Sequence, residues 1–331
     1  MATNRWTSDF NRNVVAVAIV VTTSTAFVLG YGISVLNQLY FIVWDFYAVT
    51  YERRRDGRPL SEAAVGVLWS LTCAIHMISG IFAAVLCGYL ADRIGRIRTV
   101  LVGHAFTVVG IVLGSISLAA AAPELLIVSR VFIGAPIGFA LVLTPIILTE
   151  ISPKSIRGIL NGVSQLVNAF AVVVSAVLGL PQVLGRADVW PYLYVLGIVP
   201  VLLTAAVLPF VPETPRHLLL SRRRQKDKSG KVVCVFSAER VPSQATYDVD
   251  DDDGDHDNLT EVRGSLQFYR RNDDVEEELT NMVHLELKDD ADGKQFTARD
   301  MFIDKKLRRP LVVACVLQVY VHSILFCIYT V

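Results

Sequence analysis

Hydrophobic and polar residues are segregated along this chain on a long scale. Charge-free apolar runs are separated by short polar segments as far as Pro212, and another run begins at Pro310. Roughly 20 apolar residues cross the hydrocarbon core of a bilayer as an α-helix, which satisfies its own backbone hydrogen bonds. We therefore predict an all-α polytopic membrane protein with spans at about residues 14–36, 67–90, 99–120, 126–149, 159–181 and 190–211.

The polar segments divide the rest of the chain. Residues 1–13 precede the bundle at 14–212, residues 213–309 form a polar insert, and residues 310–331 form a truncated seventh span. The aspartate-rich run at 248–257 repels itself, which predicts disorder. It does not fit a calcium loop, because Val249 and Thr260 fall where carboxylates are needed when Gly254 takes the invariant glycine position. Helical spacing of apolar residues from Val275 to Leu287 predicts a short amphipathic helix.

Composition agrees with a membrane location. Hydrophobic residues make up 53% of the chain and the mean hydropathy is +0.48, more than a soluble domain carries. The net charge is zero, but basic residues favour one side of the predicted bundle, which places the amino terminus in the cytosol. A cluster of arginines between Arg53 and Arg58 opposes this bias and is partly neutralised by nearby acids.

The sequence contains no recognisable set of catalytic residues. The six histidines are scattered singly, with no cysteine or carboxylate at metal-ligand spacing. No phosphate-binding glycine loop is present. We expect no catalytic activity, no metal, no cofactor and no nucleic-acid partner.

The segment between the second and third predicted spans is short and highly charged. Gly95 permits a tight turn, and Asp92 and Arg93 are followed by Arg96. Charges at a membrane edge can act simply as anchors, but this pattern, which begins at Gly88, is more specific. It resembles the signature loop of the major facilitator superfamily, although Ile97 stands where the family usually has a second basic residue.

Further segments narrow the resemblance to the sugar-porter family, and within it to the facilitated glucose transporters of animals. They lie in the fourth predicted span, at its end, in the fifth span and after the sixth, and they contain Ser129, Arg130, Gly134, Gly138, Glu150, Arg157, Gly158, Gln165, Glu213 and Arg216. The resemblance implies the major facilitator fold, with this chain supplying the amino-terminal six-helix bundle and one further span. It also implies a plasma-membrane location and facilitated diffusion of a hexose, glucose or fructose, by alternating access.

The charged residues of these motifs are expected to act together. The resemblance implies a cytosolic gate made of Gly88, Asp92, Arg93, Gly95, Arg96, Glu150, Arg157, Gly158, Glu213 and Arg216. Their positions place Glu150 and Arg157 within reach of an ion pair, with Glu213 and Arg216 at the equivalent end of the sixth span. The alternative is that these side chains only orient the loops by reaching toward the membrane surface.

Polar and small residues inside the spans supply the remaining candidates. Gln165 is the best sugar ligand, because a carboxamide both donates and accepts, as a sugar hydroxyl does. Asn37 and Gln318 are weaker candidates of the same type. Gly134 and Gly138 predict close helix packing, and Pro145 predicts a bend in the fourth span.

The resemblance weakens in the last predicted span. Relatives have a polar, glycine-containing stretch with paired glutamines after the position of Gln318, whereas this chain continues with Val319 and Tyr320. The family holds its sugar between two six-helix halves. We therefore expect an incomplete transporter. The alternative is a non-transporting half that associates with full-length relatives or senses sugar.

Overall fold

The computed structural model describes residues 11–153, 155–228, 253–270 and 275–291, together with Val312 and Val316. Within these residues every regular element is helical, in agreement with the predicted fold class. The helices are α1 (Arg12–Asn37), α2 (Tyr40–Arg54), α3 (Glu62–Ile94), α4 (Arg96–Ala119), α5 (Pro123–Ile151), α6 (Arg157–Leu178), α7 (Pro191–Phe210), α8 (Pro215–Lys228), α9 (Asp253–Arg270) and α10 (Glu276–Ala291).

Six of these helices are long and apolar enough to cross a membrane, namely α1 and α3 to α7. Each coincides with one of the six predicted spans. α3 begins earlier than predicted, because Ser61 caps it by accepting a hydrogen bond from the amide of Ala64 at 3.3 Å. The cap lets the helix include Glu62, whose charge ended the apolar run in the sequence.

α1 contains a π-helical turn at Thr23–Phe27. The hydroxyls of Thr22 and Thr25 donate to the carbonyls of Ala18 and Val21, each at 2.7 Å. Thr144 of α5 donates to the Thr25 hydroxyl, also at 2.7 Å. The irregular turn therefore lies against α5, where hydroxyl groups stabilise the altered backbone.

α2 was not predicted from the sequence. It combines aromatic residues with a charged end at Arg53 and Arg54, and so has no long apolar run. Tyr47 is fully buried and its hydroxyl lies 2.7 Å from that of Thr72 in α3. Arg54 forms an ion pair of 2.6 Å with Glu124 of α5, which holds the end of α2 against the bundle.

α3 and α5 approach each other closely through glycines. A side-chain carbon at Gly134 would overlap the carbonyl of His76, and one at Gly138 would overlap the carbonyl of Gly80. Backbones this close allow extensive dispersion contact between spans. These contacts support the packing role predicted for both glycines. Pro145 lies inside α5, which continues to Ile151 without a break, so the bend remains a prediction.

The polar insert is helical where it is described. Residues 253–257 form the start of α9, so the expectation of disorder is wrong for this part of the aspartate-rich run, and residues 248–252 lie outside the described residues.

A second unit of the chain begins at Glu277. α10 occupies the segment in which apolar spacing predicted a helix. Val312 and Val316 are helical, but the rest of the predicted seventh span, including Gln318, lies outside the described residues.

Candidate functional site: a charged cluster at one end of the bundle

The charged motifs converge at the end of the bundle where α3 passes into α4. We call this the charged end, defined by Gly95, Arg96, Glu150 and Glu213. α5 ends there at Ile151, and the segment that follows α7 returns there before α8 begins. Residues far apart in sequence are brought together because each precedes or follows a span at the same side.

Gly95 makes the turn between α3 and α4. Its φ is +106°, a backbone conformation that residues with a side chain rarely adopt. Its amide donates to the carbonyl of Ala91 at 3.1 Å, which is the last hydrogen bond of α3. The space that a side chain would take is filled by the carboxylate of Glu213. The glycine predicted for a tight turn therefore also admits an acidic group.

The Glu213 carboxylate caps the amino terminus of α4. Oε2 accepts from the amides of Arg96 at 3.0 Å and Ile97 at 3.2 Å, and Oε1 accepts from the amide of Arg98 at 3.1 Å. The first amides of a helix have no partner within the helix and carry its positive partial charge. Glu213 meets both needs from a distant part of the chain.

Arg96 is the centre of the side-chain network. Its side chain is 7% exposed, as is that of Glu150, and Nε lies 3.4 Å from Glu150 Oε2. Nη2 lies 3.4 Å from Asp92 Oδ1, one turn back along the chain. Thr214 donates to Glu150 Oε2 at 2.6 Å. The ion pair is thus nearly closed to solvent and supported by a third residue.

His217 completes the cluster as a neutral side chain. Its Nδ1 lies 2.6 Å from Arg96 Nη1. A guanidinium has only donors, so Nδ1 must accept and the ring proton must sit on Nε2. His217 was not a candidate in the sequence, where it is one of several isolated histidines.

The ion pair expected between Glu150 and Arg157 is replaced by the pair between Glu150 and Arg96. Arg157 begins α6, and its Nε is buried without a hydrogen-bond partner. Arg96 reaches Glu150 instead because the tight turn at Gly95 places it beside the end of α5. Arg216 is exposed on α8.

The remaining motif residues lie at the edge of the charged end. Arg93 is exposed, and its guanidinium lies 4.3 Å from the ring centre of Tyr89 in the same helix. No heavy atom lies within 4 Å of the position that a side-chain carbon would take at Gly88 or Gly158. Gly88 and Gly158 therefore face open space, and Arg93 packs on Tyr89 rather than on the network.

α9 packs against the charged end through hydrogen bonds to backbone carbonyls. Tyr269 donates to Pro212 at 2.7 Å, Ser265 to Glu213 at 2.7 Å, and Arg270 to Ile151 at 2.8 Å. Burial raises the pKa of the Tyr269 phenol above its usual range, with a smaller effect from nearby carboxylates. The phenol stays protonated and remains a donor. These contacts could not be predicted from the sequence. Their acceptors are backbone carbonyls, which every residue has, so no residue type marks them.

The candidate sugar ligands are not brought to one point. Gln165 and Asn37 are both exposed. Gly179 follows α6 and lies against Gln38, so Asn37 is level with the far end of α6. At about 1.5 Å per residue it is roughly 20 Å from Gln165 along the helix axis. Among the described residues, no group of His, Cys, Asp and Glu could hold a metal ion.

Replacing Glu213 by glutamine is expected to destabilise the charged end. Glu213→Gln removes the charge and one of two acceptors at the start of α4, which should lower the free energy of unfolding by about 1–2 kcal/mol. The measurement is thermal unfolding of the purified chain in detergent. Glu124→Gln is the control, because its ion pair with Arg54 is half exposed and should contribute less than about 1 kcal/mol. Equal shifts for both variants would contradict the capping role.

The amino-acid sequence of this chain is similar to those of known proteins. The sequence model of a family described as "Sugar (and other) transporter" matches residues 17–245. The chain is 38% identical over 218 residues to mouse "Solute carrier family 2, facilitated glucose transporter member 9", a match that covers 66% of this chain and 40% of that protein. It is 35% identical over 225 residues to the human member 9, covering 68% of this chain and 41% of that one.

Solved structures give the fold. The proton:xylose symporter XylE bound to 6-bromo-6-deoxy-D-glucose aligns over 88% of this chain and 56% of its own, with a TM-score of 0.61 and 19% identity. A partially occluded inward open XylE from E. coli aligns over 85% of this chain and 60% of its own, with a TM-score of 0.60 and 20% identity.

These matches confirm the major facilitator fold and a multi-pass membrane protein that is a member of a transporter family rather than an enzyme. The chain spans less than half of the length of the curated relatives named here. This chain belongs to the sugar (and other) transporter family.

Proposed function

We propose that this chain carries a hexose, glucose or fructose, across the plasma membrane by facilitated diffusion with alternating access. The single observation that supports the substrate class most directly is the exposed amide of Gln165 on α6. The contacts of the charged end are the observation that supports alternating access. Its orientation toward the cytosol, with the amino terminus on the same side, is part of the proposal.

Gln165 lies on a face of α6 that nothing in the described structure covers. Gly162, three residues before it, and Gly158, one turn earlier, face open space. An amide on an apolar helix is unfavourable against lipid tails. A water-filled path or a polar group on another helix would provide hydrogen-bond partners for the amide. A sugar hydroxyl can both accept from and donate to a carboxamide, which matches a hexose in such a path.

The contacts of the charged end join separate elements of the chain. Alternating access requires groups that hold one side closed in one state and release it in the other. The ion pair of Arg96 with Glu150 and the bonds from Glu213 to α4 connect segments distant in sequence. Rocking of one element against another would break these contacts without unfolding a helix.

Replacing Gln165 by leucine is expected to reduce hexose transport by about tenfold, the loss of one neutral hydrogen bond or slightly more. Gln165→Leu keeps the helix and removes both the donor and the acceptor. The measurement is initial uptake of labelled glucose and fructose by vesicles that contain the purified chain. Gln182→Leu is the control, because Gln182 is an exposed glutamine in the turn after α6. Equal uptake by the two variants would contradict the role of Gln165.

A non-transporting role is the second candidate. Only 22% of the apolar stretch of α3 and of α6 is buried, compared with 61% for α5. Two open helices could associate with full-length relatives. Uptake no greater than that of a lipid blank would overturn transport by this chain alone. Saturable binding of labelled glucose under the same conditions would then favour a sugar-sensing partner.

A further inference from the structure

Three exposed arginines lie at the ends of spans on the side of the bundle that holds the charged end. Arg93 is in the last turn of α3 and Arg98 is in the first turn of α4, so the two flank the turn at Gly95. Arg12 is the first residue of α1. All three side chains are exposed. We call these three residues the arginine rim.

α1 begins on the same side of the bundle as the charged end. The side-chain amide of Asn11 donates to the carbonyl of Tyr269 in α9 at 3.0 Å. The hydroxyl of Tyr269 donates to the carbonyl of Pro212, in the segment that leads from α7 to the charged end. Arg12 follows Asn11 directly, and so it lies on the same side as the other two arginines of the rim.

The charges of the arginine rim are not cancelled within the described part of the chain. Among the described residues, none forms an ion pair with Arg12, Arg93 or Arg98. Arg93 packs its guanidinium on the ring of Tyr89, at 4.3 Å from the ring centre, which orients the group without neutralising it. Three positive charges therefore remain for a partner from outside the chain.

The carboxylates nearest to the rim already have partners. Asp92 lies 3.4 Å from Arg96, and Glu150 pairs with the same guanidinium and is only 7% exposed. The carboxylate of Glu213 accepts from the first amides of α4. Because the acids are engaged in the network while the rim arginines point to solvent, the exposed surface at these span ends carries a positive excess.

The helices beside the charged end do not remove this excess. The exposed charged residues described on α9 are Glu261 and Arg263, one of each sign. α8 begins with Arg216 exposed, and the sequence of its last seven residues, from Arg222 to Lys228, contains five basic residues and one acidic residue. Basic clusters directly after a membrane span are typical of contact with anionic lipid.

Exposed aromatic residues indicate the height at which this side meets the bilayer. Tyr89 of α3 is 54% exposed, and Phe210, the last residue of α7, is 84% exposed. Tyrosine is enriched where the hydrocarbon core meets the headgroups, and an exposed phenylalanine ring is favourable in lipid. Arg93 lies one turn beyond Tyr89, toward the end of the span. The arginine rim is therefore expected at the level of the lipid headgroups.

The opposite side of the bundle also has exposed arginines, but they are mixed with exposed acids. The arginines at the end of α2 and in the following turn are Arg53, Arg55 and Arg58. The exposed acids among and beside them are Glu52, Asp56 and Glu62. These charges cancel locally, so this surface should attract an anionic group only weakly. It supplies a matched comparison for the rim.

We propose that the arginine rim binds the headgroups of anionic phospholipids, with phosphatidylserine as the lipid to be tested. The lipid phosphate and carboxylate neutralise the unpaired guanidiniums, which donate to phosphate oxygens through pairs of N–H groups. In the orientation proposed above, the rim faces the cytosolic leaflet, where anionic lipids are found. Lipid binding by the rim does not depend on hexose transport.

The test is native mass spectrometry of the purified full chain titrated with phosphatidylserine or phosphatidylcholine. The first phosphatidylserine is expected to bind at least about fivefold more tightly than the first phosphatidylcholine, which is the contribution of one basic residue near an anionic surface. Replacing Arg12, Arg93 and Arg98 together by glutamine should bring this ratio close to one. The matched control replaces Arg53, Arg55 and Arg58 by glutamine and should keep the ratio of the unsubstituted chain.

A lysine variant and the salt dependence separate charge from folding. Lysine at the three rim positions keeps the positive charges and should keep most of the preference for phosphatidylserine. Raising the ionic strength from about 0.1 M to about 1 M shortens the screening length from about 10 Å to about 3 Å and should reduce the preference. If the glutamine variant is not monodisperse, these two measurements decide. A ratio near one for the unsubstituted chain, a ratio insensitive to salt, or an equal loss in the opposite-side control overturns the proposal.

Discussion

Gly138→Val is expected to leave little folded protein. The valine side chain would enter the space of the Gly80 carbonyl in α3, and neither backbone can move without separating α3 from α5. Overpacking against backbone at this crossing should cost about 3 kcal/mol or more. The measurement is the monodisperse fraction of the detergent-extracted chain in size-exclusion chromatography, followed by thermal unfolding of what remains.

Gly88→Val is the matched control for this experiment. Gly88 lies in α3, as Gly80 does, but no heavy atom surrounds the position of its missing side chain. The same substitution should therefore be tolerated, and the slightly lower helix propensity of valine is a minor cost compared with the clash. Similar yields of folded protein from Gly88→Val and Gly138→Val would contradict the close crossing of α3 and α5.

Arg96→Met is expected to be the most damaging change at the charged end. It leaves the Glu150 carboxylate, 7% exposed, with Thr214 but without a positive partner. Removing one member of a buried ion pair typically costs about 3–5 kcal/mol, because the other charge stays desolvated. Thermal unfolding of the purified chain measures the loss.

A double variant separates this explanation from simple loss of packing. Arg96→Met combined with Glu150→Leu removes both charges and fills the same space with apolar atoms. It should recover much of the stability lost in the single variant, since an apolar pair can replace a buried ion pair at little cost. If the double variant is less stable than Arg96→Met alone, the unpaired carboxylate is not the cause of the loss.

The spans were predictable because their physical cause is local. A helix in lipid must be apolar over its own length, so α1 and α3 to α7 appear directly as runs in the sequence. α2 mixes aromatic and charged residues and has no such run. It is helical because Tyr47 and Arg54 find partners on α3 and α5, which only the folded chain supplies.

Partner choice at the charged end was predictable only in part. Spacing and resemblance indicated that Glu150 and Glu213 lie at the same end as Arg96. The choice of Arg96 over Arg157 as the partner of Glu150 depends on the angle of the turn at Gly95, a tertiary property. The partners of buried Arg130, the carbonyl of Gly32 and the hydroxyl of Tyr194, were likewise not predictable, because they lie on α1 and α7 and meet it only in the folded chain.

The turn at Gly95 also limits how this chain can vary. Any residue other than glycine at position 95 would need an unfavourable backbone conformation and the space held by the Glu213 carboxylate. Shortening residue 213 would create that space but would also remove the cap of α4. Residues 95 and 213, more than a hundred positions apart, therefore depend on each other. A single substitution at either of them is expected to destabilise the protein.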